Sequence, residues 1–287
     1  MNITFYGVRG SIATPGATTV KYGGNTSCTH LQLNDGSHFV FDAGTGMRLL
    51  GQSLVNDKNT INLLVTHNHW DHIQGFPFFD PIYDPQREIH VASQLVSGVS
   101  GLPVLNTVGG PFHPVEFDSL GANFRQHVLS PKAMEFVRGN ALITTKPLNH
   151  PNGGCAYKLQ ADGLCVAYVT DNELFPPDDP ITSYQEWVAF LQGVDVLIHD
   201  AQYTEEDMPC KHGWGHSLIS QVLTLACDAG ARAVVLYHHD PSRTDSQLDE
   251  ILIGSEAMFK RLSKQPKIFC AAEGQTLSIS KDSISTN

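Results

Sequence analysis

Directly after the apolar run INLLV, residues 61–65, the chain reads THNHWDH, placing His67, His69, Asp71 and His72 within six positions. No other feature constrains the fold as strongly. Two imidazoles separated by one residue leave the same side of an extended segment, whereas Asp71 and His72 follow where the chain is expected to turn into a helix. Such a segment can feed two neighbouring cation sites. Imidazole nitrogen and carboxylate oxygen both suit borderline divalent metals such as zinc, and closely spaced ligands lower the ordering cost of a site. A solvated turn explains one lone histidine well, and four such residues together poorly.

Composition removes several function classes. At 287 residues, 41% hydrophobic and 16% charged, the chain is long enough for a sizeable core and is read as a single domain, 1–287. A formal charge of −11 supplies no basic field for nucleic acid or an anionic membrane, so a nucleic-acid partner is disfavoured. The start MNITFYGVRGS lacks a basic stretch followed by an apolar one, and no run nears the roughly 20 apolar residues of a membrane span. A cytoplasmic location with no membrane partner is therefore expected. Six cysteines without a Cys-x-x-Cys pair suggest neither a disulfide framework nor a thiolate metal site.

Polar clusters sit at the ends of apolar runs along the whole chain. NITFY alternates as a strand, THLQL and HFVFD flank the hairpin signal NDGS, and this first meander is expected at a sheet edge. INLLVT ends at the histidine cluster, ALITTKPL ends near His150, and CAYKLQ and LCVAYVT flank a second hairpin at ADG. Helices are expected over TSYQEWVAFLQ, over SLISQVLTLACDAG from Ser217, and over DSQLDEILIGSEAMFKRL. Between them VDVLIHD, ARAVVLYHHD and KIFCAAEG read as strands. This alternation predicts an α/β protein whose sheets are covered by helices. The Gly- and Pro-rich region from Gly98 to Gly139 reads as an irregular lid or rim.

THNHWDH resembles the His-x-His-x-Asp-His signature of the metallo-β-lactamase superfamily, and the later polar strand ends LNHPNGG, YVTDNE and VVLYHHD follow that family's order. The resemblance implies a four-layer αββα sandwich of two mixed β-sheets flanked by helices. It implies two divalent metal ions, zinc first with manganese or iron as alternatives. One would be held by His67, His69 and His150, the other by Asp71, His72 and His238, with Asp171 bridging. His239 stands beside His238 as an alternative ligand, although strand alternation lets only one of them face the metals.

YVTDNE resembles the Gly-Asp-Thr segment of phosphodiesterases related to the tRNA-maturing RNase Z, LIHDAQYT resembles their His-Glu-Ala-Thr motif, and GWGHS their Gly-His-Ser-Thr motif. The resemblance makes His216 the proton donor, with Asp200 its supporting carboxylate and His199 a weaker alternative, and gives Asp71 a catalytic part beside its ligand role. A departure bears on substrate: short-form RNase Z inserts a tRNA-clamping arm between the segments of His150 and Asp171, and here these lie only 21 positions apart. GVRGS, KYGGNTSC, FDAGTGMRLLG and HWDHIQGFPFF are similar to the cyclic-nucleotide-phosphodiesterase-like group.

The expected function is thus hydrolysis of a small phosphodiester, 3′,5′-cyclic nucleotides above all. Two cations would lower the pKa of a bridging water so that hydroxide exists near neutral pH. The alternatives are RNase Z-like tRNA 3′ processing and a thioester or lactone hydrolase on the same fold. Trp70, Phe76, Phe78, Phe79 and Phe112, near a helix start, are read first as plain core, with a wall able to stack a base as the alternative, and Asn25, Thr26 and Ser27 as a loop near the metals or a plain turn. Apolar stretches between Gly98 and Gly139 suggest a homodimer edge.

Overall fold

The computed structural model describes residues 1–111, 113–208, 210–259 and 266–286. The chain forms two compact units, one from Met1–Ala13, Gly23–Ser130 and Ala272–Asn287, the other from Thr14–Tyr22 and Pro131–Ala271.

The first unit holds an eight-stranded mixed sheet. In chain order its strands are β1 (Asn2–Gly7), β2 (Cys28–Gln32), β3 (His38–Phe41), β4 (Ile61–Leu64), β5 (Glu88–Gln94), β6 (Asn123–Leu129), β14 (Thr276–Ile279) and β15 (Ile284–Thr286), and they lie in the order β15-β14-β1-β2-β3-β4-β5-β6. Pairing is antiparallel as far as β3 and parallel from β3 to β6. Parallel neighbours need a crossover, and α1 (Met47–Leu54) provides the one from β3 to β4. Its Met47, Leu50 and Leu54 recur at helical spacing and are buried in the core that also contains Val40, Leu63 and Val91. The histidine motif turns into the single-turn helix α2 (Trp70–Ile73), capped by His69 in extended conformation.

The second unit holds a seven-stranded mixed sheet of β7 (Glu135–Arg138), β8 (Ala141–Pro147), β9 (Cys155–Ala161), β10 (Leu164–Val169), β11 (Val196–Asp200), β12 (Ala233–Tyr237) and β13 (Lys267–Cys270), in the order β13-β12-β11-β10-β9-β8-β7. From β10 to β13 it is parallel. The crossovers are α3 (Tyr184–Leu191), α4 (Ile219–Asp228) and α5 (Asp245–Phe259). Ser183 and Glu186 close a reciprocal capping box at the start of α3, and Trp187, Val222 and Leu225 lie in one core with Leu197 and Val234. Because β10, β11 and β12 run side by side, the residues that follow them emerge at one edge of the sheet, where open α/β sheets place their ligands.

Several expectations need correction. The helix expected from Ser217 begins at Ile219, because the Ser217 hydroxyl is occupied elsewhere: it donates to the Asn172 carbonyl at 2.6 Å and accepts the Leu174 amide at 3.2 Å. His216 therefore lies a few residues outside the helix, beyond the short reach of its terminal partial charge. The Gly98–Gly139 region is not wholly irregular, since it contains β6 and β7. Both are end strands whose side chains are mostly half-exposed or exposed, so their sequences lack the apolar alternation of a covered strand. The first meander is not an edge either, because β14 and β15 extend the sheet past β1. The tail of the helix expected over DSQLDEILIGSEAMFKRL lies outside the described residues. None of the described helices is long and apolar enough to cross a membrane.

One buried polar relay in the first unit sets a pH dependence. The His30 and His38 rings are joined at 2.9 Å between Nε2 and Nδ1, and His38 Nε2 lies 3.1 Å from Asp57. Burial, aided by His38 and opposed by Asp57, holds the His30 pKa down to about 3. The unfolded chain therefore binds a proton at His30 that the folded chain refuses. The stabilisation is fully present above the ordinary histidine pKa of about 6.5 and is lost as pH falls from there toward 3, with a slope of up to about 1.4 kcal/mol per pH unit. Denaturant unfolding between pH 7 and 4 should show this loss, and His30→Gln should make the dependence measurably shallower; an unchanged slope would remove His30 as its source.

Candidate active site

In the first unit, the carboxyl ends of the parallel strands β3 and β4 carry the metal-ligand motif. His67, Asp71 and His72 are buried. His67 Nε2 and His69 Nδ1 approach to 3.1 Å, and His72 Nε2 lies 3.2 Å from Asp71 Oδ2, so ring nitrogens and a carboxylate oxygen are drawn together. Asp71 Oδ2 also accepts the Ser11 amide at 2.8 Å.

A residue that sequence reading did not single out orders this cluster. Asp42, fully buried after β3, accepts from His72 Nδ1 at 2.8 Å through Oδ2 and from the Thr66 amide at 2.8 Å through Oδ1. The Thr66 hydroxyl lies against both of its oxygens, at 2.9 and 3.0 Å, and 3.1 Å from His67 Nδ1. Asp42 thus turns the Nε2 face of His72 toward Asp71, as carboxylates behind metal-binding imidazoles do. The signal was present in FDAGTG, an acidic residue at the end of a strand parallel to β4. The loop of Asn25, Thr26 and Ser27 lies against this turn: a Cβ on Gly44 would come 2.3 Å from the Asp71 carbonyl and 2.5 Å from Thr26 Oγ1. Phe76 and Phe79 are fully buried core residues, in line with the plainer of their two readings, and take no part in a base-stacking wall. Trp70 and Phe78 are 58% and 56% exposed, and Phe112 lies outside the described residues.

The second unit presents its own cluster at the ends of β10, β11 and β12. Asp171 directs its two carboxylate oxygens to different rings: Oδ1 lies 3.1 Å from His238 Nε2, and Oδ2 lies 3.6 Å from His150 Nε2. Each ring is aimed by its other nitrogen, His150 Nδ1 bonding the Gly215 carbonyl at 3.0 Å and His238 Nδ1 the Gln202 Oε1 at 2.9 Å. Asp171 and His238 both adopt left-handed backbone, with φ of 55° and 58°. His239 is used differently. Its Nε2 donates to the Ala271 carbonyl at 2.9 Å and its ring packs edge-on to Tyr22.

Beside these, His216 Nδ1 bonds Asp200 Oδ2 at 2.7 Å, and the His216 ring stacks on His238 with centroids 5.2 Å apart. Asp200 is fully buried and also accepts the Asn172 amide at 3.3 Å and the Gln202 amide at 3.0 Å. Asp171, Asp200, His216 and His238 each offer a donor atom within 4.8 Å of the others. His199 does not join them. It alternates with Asp200 along β11 and is buried with Nδ1 on the Asp200 carbonyl at 2.7 Å, and burial pushes its pKa below the ordinary value. A buried acid with two imidazoles, each steered by a hydrogen bond on its far nitrogen, fits divalent cations and suits neither anions nor an apolar ligand.

Comparison with known proteins agrees with this geometry. A family model described as a beta-lactamase superfamily domain matches residues 38–239. A ribonuclease Z of Halobacterium salinarum is 25% identical over 302 aligned positions, covering 89% of this chain and 92% of that protein. The metallo-β-lactamase fold protein YhfI from Bacillus subtilis aligns over 96% of this chain and 98% of its own, with a TM-score of 0.68 and 16% identity. A diphosphatase from the PhnP family aligns over 97% of this chain and 98% of its own, with a TM-score of 0.67 and 17% identity. The two mixed sheets are those of the metallo-β-lactamase fold, and with the family model spanning both motif-bearing regions, the chain belongs to the metallo-β-lactamase superfamily as a metal-dependent hydrolase of its RNase Z-like branch.

Proposed function

We propose that this protein is a dimetal phosphodiesterase acting on a small phosphodiester, 3′,5′-cyclic nucleotides above all, with its two clusters serving one centre in a single metallo-β-lactamase domain. The observation that carries this reading is Asp171, whose two oxygens face His238 and His150 separately, as a carboxylate shared by two cations must. His67, His69 and His150 would hold one ion, Asp71, His72 and His238 the other, and Asp171 both. Zinc fits this nitrogen and oxygen set, with manganese or iron as alternatives.

Two divalent ions held there would supply Lewis acidity that activates water and neutralises charge on the phosphodiester. The chain's own residues supply the rest. Asp200 holds the His216 Nδ1–H, which leaves Nε2 as the nitrogen from which the protonated ring would deliver a proton to the departing alkoxide. Asp71 is read as ligand first, anchored by Ser11, with its catalytic part confined to keeping that charge in place.

Substrate size follows from what lies between His150 and Asp171. That interval is filled by β9, a two-residue turn and β10, one hairpin with no arm to clamp folded RNA. The charge of −11 adds no attraction to a polyanion. A second reading, tRNA 3′ processing, draws on the name of the Halobacterium relative, and a thioester or lactone hydrolase is the third. A cytoplasmic homodimer joined through the 98–139 region completes the proposal; in that region β6 ends the sheet, with Val128 51% exposed.

The following outcomes are expected. Elemental analysis after reconstitution should give two metals per chain, and Asp171→Ala should lose metal and activity together. His216→Ala should keep both metals while turnover falls roughly 10²- to 10⁴-fold, and Asp42→Ala should weaken metal affinity about 10- to 100-fold; metal loss in the His216 variant would move that residue into the ligand set. With one dimetal preparation at physiological salt, cyclic mononucleotides should be hydrolysed to linear monophosphates and precursor tRNA left uncut. The reverse pattern would establish the RNA reading, and turnover of thioesters alone the third. Sedimentation at micromolar concentration should give a dimer, and a monomer would remove that part of the proposal.

A further inference from the structure

We propose that Glu173 is a positioning residue: its buried carboxylate fixes the Gly213–Ser217 turn, and through that turn it aims both His150 and His216. The inference rests on the roles given to those two histidines under the proposed function.

Glu173 follows Asp171 by two positions and is 2% exposed. Its Oε1 accepts the Gly213 amide at 2.9 Å, and its Oε2 accepts the Gly213 and Gly215 amides at 3.1 and 2.9 Å. Alternate N–H groups of one turn thus converge on a single internal carboxylate. A carboxylate removed from water needs such donors, so it holds the turn as firmly as the turn holds it. His212 Nε2 lies 3.6 Å from it, on a side chain 44% exposed.

The turn can take this shape only with glycine at both positions. Gly213 and Gly215 have φ of 88° and 86°, and a Cβ on Gly215 would lie 2.1 Å from His150 Nδ1. That close approach lets the Gly215 carbonyl accept from His150 Nδ1 at 3.0 Å and so fixes which nitrogen of His150 faces Asp171. The next residue is His216. Its neighbour Ser217 ties the turn back to the strand end through Asn172 and Leu174 on either side of Glu173, and the Glu173 amide donates to the Asn149 carbonyl at 3.0 Å, next to His150.

Packing does not do this work instead. A cavity of about 240 Å³ opens beside His150, bounded by Pro177, Ile181, Gly213 and Gly215. A turn released from Glu173 has room to move into it, and a shift of about 1 Å at an imidazole can cost on the order of 10²-fold in rate.

Glu173→Gln is the test. It keeps size and one acceptor but removes the charge, and with its oxygen in the place of Oε2 it sets an amide nitrogen where Oε1 accepts the Gly213 amide at 2.9 Å, so a donor faces a donor and the charge-assisted bonds to both glycines are lost. Glu173→Asp, which retracts the carboxylate by one methylene, judges the proposal in the same way if the glutamine variant does not fold. In metal-free protein, amide exchange at Gly213 and Gly215 should accelerate at least about tenfold, and the His150 Nδ1–H resonance should lose its protection. In metal-loaded enzyme, hydrolysis of an alkyl phosphodiester should fall about 10- to 100-fold, whereas a bis-p-nitrophenyl ester, whose leaving group needs no proton, should lose much less. An unchanged alkyl-to-aryl ratio, or glycine amides that exchange as in the parent protein, would overturn the proposal. Should the parent protein cleave no phosphodiester, the proposed function fails, and the exchange and imidazole readouts on metal-free protein still decide the role of Glu173.

Discussion

Everything at the carboxyl edge of the second sheet depends on one buried carboxylate with two imidazole neighbours. Asp171 is 2% exposed and faces His150 with one oxygen and His238 with the other. A charge removed from water must be matched by charge or by several hydrogen bonds. Here the Thr170 hydroxyl gives one bond at 2.8 Å, and the remaining directions point at ring nitrogens whose far sides are already spoken for. Acceptors gathered in this way are what a divalent cation requires.

The backbone is strained where these groups emerge. Asp42, Asp171 and His238 all adopt φ between 55° and 60° without being glycine. Such conformations cost on the order of 1 kcal/mol each and persist only where the surroundings over-determine them. Asp42 and His238 immediately follow a strand with a parallel neighbour, and Asp171 follows one after a single residue, Thr170. A left-handed residue there bends the chain sharply, so that the side chain faces the open end of the sheet instead of continuing its alternation.

Partners behind the proposed ligand residues give the arrangement its precision. Asp42 steers His72, Gln202 steers His238, the Gly215 carbonyl steers His150, and Asp200 steers His216. Each fixes a tautomer by bonding the nitrogen turned away from the working face, which leaves the other ready for a cation or for proton delivery. Glu173 extends the same logic one layer further, acting on the turn that supplies two of these contacts.

The amino-acid order alone determined the local elements and the family. Apolar runs with period two, turn signals such as NDGS and ADG, and helices with a buried stripe are properties of neighbouring residues, and THNHWDH is dense enough to name its chemistry without a fold. Strands such as β6, β7, β14 and β15 escaped notice because they are short or half-exposed, and their pairing comes from neighbours distant in sequence. Only the tertiary structure decided that Asp200 and not His199 meets His216, and that His238 and His239 serve different partners. It also separated the buried Phe76 and Phe79 from the exposed Trp70 and Phe78, and brought Asp42 and Glu173 behind the proposed ligands. Those outcomes depend on strand register and on hydrogen bonds between residues some 30 to 65 positions apart, and no local pattern encodes which of two adjacent polar side chains a parallel sheet turns toward its open end.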